Sequence, residues 1–338
     1  MFSSKDVAKR AGVSQTTVSR VLNTPERVKA KTRDKVLQVI QELGYVRNEN
    51  ARNLVAKRTY TISLISGPLH NPFYVDTTSR IIQYATTLGY KVNVHFSTID
   101  NAQHIYELAL SHKIDGLIMS CVLLDDPIVE QLKKLNLPFI SFNRRHSTAR
   151  HFVEIDNIAA GRKALQHLVD LAHTDILWIG ASDVVSTFRD RFIGFKQHYE
   201  WLKKQPNSSK LNVRTINYKQ LDQPDLRKLL TKLYQTKRLP SAICAATDAM
   251  AIAAMEILIS LGVSIPEDIS IIGIDNVDLS GNYLVQLTTV GAENNTCLGL
   301  LAIQKLIEMI EHKDKLDEFS ITLPVSLYTR GSTQQYNQ

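Results

Sequence analysis

Cysteine, close-paired metal ligands and long apolar runs are all scarce in this 338-residue chain. Its three cysteines, Cys121, Cys244 and Cys297, lie far apart beside apolar runs and lack the short paired spacing that zinc sites use. Reduced core thiols are therefore expected, and a disulfide framework is not. The ten histidines form no His-Glu-x-x-His pattern, so no metal site is read from them. The longest unbroken apolar stretch, "AMAIAAM" ending at Met255, stops at Glu256 and is far too short to cross a bilayer. A nucleophile elbow, a phosphate loop and a dinucleotide glycine fingerprint are also missing, which argues against an enzyme and against a bound cofactor. The opening "MFSSKDVAKR" places Lys5, Asp6, Lys9 and Arg10 where a signal peptide would need an apolar core. A retained, folded N-terminus and a cytoplasmic protein are the expectation.

What the chain does have is an uneven distribution of charge. The net charge is +7, yet residues 1–58 hold 13 Lys/Arg against 5 Asp/Glu, a local net of +8 that leaves −1 for the other 280. A small basic unit on a near-neutral body is the electrostatic footprint of a polyanion binder, because neutralising phosphates releases their counterions. Membrane surface and plain solubility are the other readings that charge alone allows.

Within that basic unit the apolar spacing predicts three short helices. Ser3 can cap the first, with Asp6 as its capping-box partner and Val7, Ala8 and Ala11 on the inner face. After the turn at Gly12, Ser14 is placed to cap a second helix packed through Val18, Val21 and Leu22. Gln15, Thr16, Ser19 and Arg20 then face outward. A third helix carries Val36, Val39, Ile40 and Leu43 and ends at Gly44. Small, donor-rich outward side chains on the second helix are what entry into a major groove about 12 Å wide requires.

From Tyr60 onward, short β-branched runs alternate with amphipathic segments. The runs are "YTISLIS", "YKVNVHF", "IDGLIMS", "LPFISFN", "FVEI", "DILWIG", "SAICAA", "ISIIGI" and "QLTTV". Such alternation predicts βαβ units and parallel sheets, and this many strands suits two sheets better than one. Ligands in open α/β sheets bind beyond the carboxyl ends of strands, so the residues just after these runs are the ones to watch.

These motifs together resemble the lactose/galactose repressor (LacI/GalR) family. The segment "SSKDVAKRAGVSQTTVSRVLNTPERVKAKTRDKVLQVIQELGYVRNENARNLVAKRT" is similar to the family's DNA-binding head and hinge. The likeness continues through "NPFY", "IDGLIMS", "VEIDNIAAG", "RFIGF", "ATDAMAIAAMEILISLGVSIPEDISIIGIDN" and "LTTV", nearly the whole chain. The resemblance implies a small all-α helix-turn-helix head plus an α/β core of two doubly wound parallel-sheet lobes, of the type I periplasmic-binding-protein kind. The implied head and hinge span residues 1–58 and the implied core 59–338. Its N-lobe would take about 59–158 and 291–322, and its C-lobe about 159–290 and 323–338.

The same resemblance implies a transcriptional repressor, acting as a homodimer, that reads a near-palindromic operator under control of a small effector. A sugar is the favoured effector class. Gln15 and Thr16 would be the specificity pair in the major groove, with Ser3, Ser14, Ser19, Arg20 and Arg27 contacting bases or phosphates. Asn48, Ala51 and Leu54 would belong to a minor-groove hinge helix in which Leu54 wedges into the central base step. Phe73, Tyr74, Ser120, Asn143, Arg191, Thr247 and Asp275 would line the effector cleft. Arg191 and Asp275 would act as a cation and anion clamping vicinal hydroxyls, or else form an ordinary salt bridge between lobes. An alternative within the family is a global regulator whose corepressor is a phosphorylated phosphocarrier protein. Departures from the family pattern are Arg47 for a common proline, Lys29 for a common capping serine, and Ala292 and Glu293 where sugar-binding members carry a polar residue such as glutamine. The final "RGSTQQYNQ" has no heptad pattern, which argues against a tetramer built on a C-terminal helical bundle.

Overall fold

A computed structural model describes residues 2–45, 58–148, 150–205, 211–218, 223–312 and 319–337. The chain divides into two compact units, Met1–Thr59 and Tyr60–Gln338. Arg47 and the hinge candidates Asn48, Ala51 and Leu54 lie outside the described residues.

The first unit contains α1 (Ser4–Ala11), α2 (Gln15–Asn23) and α3 (Ala30–Leu43). Ser3 accepts from the Asp6 N–H while the Asp6 carboxylate accepts from the Ser3 N–H, so each satisfies an otherwise orphaned helix-end donor. Ser14 caps α2 by accepting from Thr17 N–H. Lys29 precedes α3 without any side-chain cap, the local consequence of its replacing a hydroxyl residue. Gly12 and Gly44 close α1 and α3 in the left-handed region, φ 63° and 56°, where a Cβ would be strained. Val7, Ala8, Ala11, Val18, Val21, Val36 and Val39 form the buried core.

In the second unit the strands are β1 (Thr61–Ser66), β2 (Lys91–Phe96), β3 (Gly116–Met119), β4 (Phe139–Phe142), β5 (Phe152–Ile155), β6 (Asp175–Ala181), β7 (Asn212–Tyr218), β8 (Ala242–Ala245), β9 (Ser270–Ile274), β10 (Thr288–Ala292), β11 (Ser320–Leu323) and β12 (Val325–Tyr328). Its helices are α4 (Pro72–Thr87), α5 (Ala102–Leu110), α6 (Ile128–Leu135), α7 (Asn157–Asp170), α8 (Ser186–Lys203), α9 (Gln223–Gln235), α10 (Asp248–Ser260) and α11 (Leu298–Glu311). They build two six-stranded sheets, β11-β5-β4-β3-β1-β2 and β12-β10-β9-β8-β6-β7. Every ladder is parallel except that between β10 and β12.

Helices on both faces explain why the central strands read as continuous apolar runs rather than alternating ones. In the first sheet Leu64, Ile118 and Ile140 lie in register and turn one way, into the core shared with Ile81 of α4 and Ile303 of α11. Leu117 and Phe139 pair on the opposite face and pack with Tyr106 of α5 and Leu132 of α6. The chain passes between the sheets after β5, after β10 and after β11. The second and third crossings therefore follow Ala292 and Leu323, a residue or two beyond the boundaries read from the sequence.

Helices α7 and α8 approach closely enough that each needs a glycine. A Cβ on Gly161 would overlap the Arg191 carbonyl, and one on Gly194 would overlap the Ile158 carbonyl. Because backbone rather than a flexible side chain blocks the added atom, the helices would have to separate. Gly161→Ala and Gly194→Ala are each expected to lower core stability by about 1–3 kcal/mol, as overpacking does. Urea unfolding of the variants checks this, a loss below 0.5 kcal/mol counting against the close approach.

Candidate DNA-reading head and effector cleft

The head presents its candidate contacts without tying up their cations. Ser3, Ser14, Gln15, Thr16, Ser19, Arg20 and Arg27 are all exposed. Gln15 donates to Ser4 Oγ at 2.9 Å, and Asn23 donates to Ser19 Oγ at 3.1 Å, which orders the outward row of α2. Arg10 and Arg33 pair with Glu42 and Asp34, whereas Arg20 and Arg27 have no carboxylate partner among the described residues. Two unpaired guanidinium groups beside a helix of hydroxyls and amides can reach phosphates and base edges together.

The second unit holds a cleft between its sheets, at the carboxyl ends of β1, β3, β4, β6, β8 and β9. A chamber of about 280 Å³ is lined there by Phe73, Tyr74, Asn143, Arg191, Thr247 and Asp275 among others. Ser120 is not among its lining. The strand end carrying it is fully covered, and its hydroxyl donates to the Ile65 carbonyl at 3.3 Å. Its hydroxyl thus ties the end of β3 to β1, and the structure does not bring Ser120 into the chamber lining with the other effector candidates. A larger chamber of about 680 Å³ shares Phe73, Arg191 and Asp275 as a common wall and extends past Asp76, Arg80, Ala292 and Arg330.

Arg191, 1% exposed, is held on three sides. Its Nε donates to Asn157 Oδ1 at 2.9 Å, Nη1 to the Ala246 carbonyl at 2.6 Å and Nη2 to Asp275 Oδ1 at 2.6 Å. The Arg191–Asp275 pair thus joins α8 to the end of β9 within one lobe. It is neither a bridge between lobes nor an unpaired clamp. Asp275 sits at φ 142°, a conformation that side chains rarely adopt, and Gly291 leaves room for this turn. Burial raises the Asp275 pKa, and Arg191 opposes that shift.

The aromatic pair is more enclosed than stacking on a ligand ring requires. Phe73 and Tyr74 are 8% and 4% exposed and meet edge to face at 5.5 Å. The Tyr74 ring lies where a side chain on Gly67 would otherwise stand, and its hydroxyl accepts from Arg144 Nη2 at 3.0 Å. Burial pushes the Tyr74 phenol up to about 12, with Arg144 working the other way. Phe188, only partly buried, offers the chamber a more open ring. Sequence reasoning missed Arg144, Phe188, Asn71 and Thr187, although each lies at a strand end or helix start where the rule for open sheets says to look.

Polar bonds bridge the lobes around the rim. Arg145 pairs with Glu154 of the first lobe at 2.9 Å and with Asp190 of the second at 2.7 Å. Thr187 Oγ1 donates to the Asn143 carbonyl at 2.6 Å, and the Asp278 N–H donates to Asp76 Oδ2 at 2.9 Å. No group of three or more candidate metal-ligating side chains occurs among the described residues. No helix there is long and apolar enough to cross a membrane.

Residues 4–48 match the profile of bacterial regulatory proteins of the lacI family, and residues 165–333 match a periplasmic binding protein-like domain. The chain is 31% identical over 345 residues to the HTH-type transcriptional regulator DegA of Bacillus subtilis, covering 98% of each. The chain belongs to the LacI family. It is accordingly a DNA-binding transcriptional regulator of the repressor type and not an enzyme. Another relative is the ribose operon repressor of Halalkalibacterium halodurans, 31% identical with 99% of this chain and 98% of that one covered. The lac repressor dimer bound to operator and the anti-inducer ONPF has the same fold, with a TM-score of 0.81, 25% identity, and 98% of this chain and 99% of that chain covered.

Next to Thr247 of the cleft lining lies a fully buried carboxylate. Asp248 opens α10, is fully buried, and accepts from Thr289 Oγ1, from Ser280 Oγ at 2.6 Å and from Val277 N–H at 3.0 Å. Burial first, and the Asp275 charge second, raise its pKa to about 6 from 3.8. The folded chain therefore holds this proton through a range where the unfolded chain releases it. Stability from this group is fully present below about pH 4, falls as pH rises toward 6 and is flat above. The loss is on the order of 3 kcal/mol at most. Asp248→Asn should flatten this slope relative to the parent in urea unfolding series from pH 4 to 7, and an unchanged slope would contradict the assignment.

Proposed function

We propose that this LacI-family regulator reads a near-palindromic operator as a homodimer. Its operator affinity would be set by a small effector of sugar class held in the 280 Å³ chamber. The observation that carries this reading is the convergence of Phe73, Tyr74, Asn143, Arg191, Thr247 and Asp275 on one cleft at the strand ends of both sheets. On the head side, Gln15 and Thr16 are the proposed base readers, with Ser3, Ser14, Ser19, Arg20 and Arg27 at bases or phosphates. Asn48, Ala51 and Leu54 are the proposed minor-groove contacts, an apolar wedge at Leu54 trading base unstacking for a bent duplex that meets more protein.

An effector can shift the operator equilibrium only by its difference in affinity for the two lobe arrangements, commonly 1–3 kcal/mol, or about 5- to 150-fold. The rim bonds Arg145–Asp190, Thr187–Asn143 and Asp278–Asp76 are the contacts such a rearrangement would break or remake. A chamber of about 280 Å³ lined by residues of both sheets' strand ends favours a small molecule over the phosphorylated phosphocarrier as the regulator. The ribose operon repressor among the relatives favours a sugar.

Selection of the purified protein against a random duplex library at physiological salt tests the reading. Enrichment of a palindrome supports a dimeric operator reader, and the recovered site then serves to screen sugars for release. Recovery only in the presence of a phosphorylated carrier protein would move the corepressor alternative to the front.

Replacing Arg20 with alanine is expected to weaken binding to the recovered site by about 5- to 150-fold, the value of one good base contact. Titration of labelled duplex checks it, equal affinity counting against a reading role. The subunit contact is proposed to include Tyr283 and Leu284, which are 89% and 91% exposed between β9 and β10. Such apolar exposure on a regulator whose relative is a dimer fits a second copy. A Tyr283→Asp, Leu284→Asp double variant should sediment as a monomer, and an unshifted dimer would place the contact elsewhere.

A further inference from the structure

The smaller chamber is not electrically balanced. Arg144 and Arg191 both line it, and Asp275 is its single lining carboxylate among the described residues. Asp275 is already committed to Arg191 at 2.6 Å. The larger chamber differs, since Arg80, Arg191 and Arg330 meet Asp76, Asp275 and Asp278 there. Excess positive charge is thus local to one side of the Phe73–Arg191–Asp275 wall.

Arg144 is the source of that excess, and its partners among the described residues are all neutral. Nη2 donates to Tyr74 Oη at 3.0 Å, Nη1 to the Cys121 carbonyl at 3.4 Å, and the guanidinium lies 5.9 Å from the centre of the Phe188 ring. The carboxylates nearby are occupied elsewhere. Glu154 and Asp190 pair with Arg145, while Asp126 accepts from the Tyr106 hydroxyl and the Ile128 N–H. A part-buried guanidinium without a counter-charge bears part of the cost of lost hydration, and a ligand that supplies the charge recovers it on binding.

The surrounding backbone carries the same sign. Helices α4, α8 and α10 all begin at this chamber, through Phe73 and Tyr74, Val185 and Thr187, and Thr247 and Ala249. The partial positive charges of the α4 and α8 starts add to that of Arg144, while Asp248 in the first turn of α10 offsets that helix's share. Thr247 and Asn71 cap two of these starts with side chains, but Val185 ahead of α8 offers no side-chain acceptor.

We infer that the effector carries an anionic group, a phosphate or a carboxylate, that seats against Arg144 while its hydroxyl-bearing part lies toward Arg191 and Asp275. The inference rests on the chamber being the effector site proposed above and narrows the ligand class from sugars at large to sugar phosphates and sugar acids.

Two measurements on the full chain test it. The first needs no ligand: in the free protein, Arg144→Met replaces an unmatched cation with an apolar chain of similar length, so the melting temperature should hold or rise. A fall of several degrees would mean that Arg144 is a structural cation satisfied by Tyr74, Cys121 and Phe188, and would overturn the inference. The second is calorimetric titration with inorganic phosphate, glucose 6-phosphate, gluconate and glucose at constant ionic strength. Saturable binding of inorganic phosphate that weakens about tenfold or more in Arg144→Met is expected, the value of a charge-assisted contact. Binding absent from the parent, or equal in both proteins, refutes the site. Tighter binding of glucose 6-phosphate than of gluconate assigns the group to phosphate, and the reverse order assigns it to carboxylate. Release of operator by glucose, with no response to the anions, would keep the effector reading and sink the anion. Anion binding that leaves operator affinity unchanged would keep the anion site and sink the effector reading.

Discussion

The buried guanidinium of Arg191 is the interaction on which the cleft depends. It ties together the start of α7 at Asn157, the end of β8 at Ala246 and the turn after β9 at Asp275. Those three points come from distant parts of the sequence, and the reciprocal glycine contacts of α7 and α8 set the first of them close to Arg191. A charge this deep is stable only if every partner stays in place, so it fixes the geometry of the strand ends more than it adds net stability. The strained backbone at Asp275 is held by the same arrangement.

Around that fixed point polar contacts join the lobes at the rim. Arg145 reaches across the rim to carboxylates of both lobes, and single hydrogen bonds join Thr187 to Asn143 and Asp278 to Asp76. One apolar cluster runs through both lobes and a second lies on the other face of the first sheet, whereas the bonds at the rim are polar. Polar contacts of this kind are individually weak and can be exchanged for contacts to a ligand at small net free energy, which is what a switch between two lobe arrangements needs.

Much of this was legible in the residues. The apolar positions of α1 to α3, with their capping serines and closing glycines, could be read from a 3.6-residue period because the head is small and each helix buries one stripe. The central strands were legible because burial on both faces leaves continuous apolar runs. β7, β11 and β12 were not. "NVRTINY" is a half-exposed edge strand in which polar residues outnumber aliphatic ones, and "SITL" and "VSLY" are four-residue edges whose identity comes from the strand each pairs with. Among the site residues, Ser120 shows the limit of positional inference: it sits at a strand end, as a ligand group should, yet its hydroxyl is turned into the sheet toward Ile65.

Sequence by itself determined the family, the three-helix head, the parallel α/β core and the neighbourhood of the cleft, because these follow from periodicity, capping chemistry and the position of residues relative to strand ends. Only the tertiary structure decided how the charges pair. Arg144 and Arg145 are adjacent in "NRR" and indistinguishable in the sequence, but one meets Glu154 and Asp190 while the other is left facing a chamber with no carboxylate to spare. Electrostatic partnership depends on distances between segments far apart in the chain, and no local pattern encodes those distances.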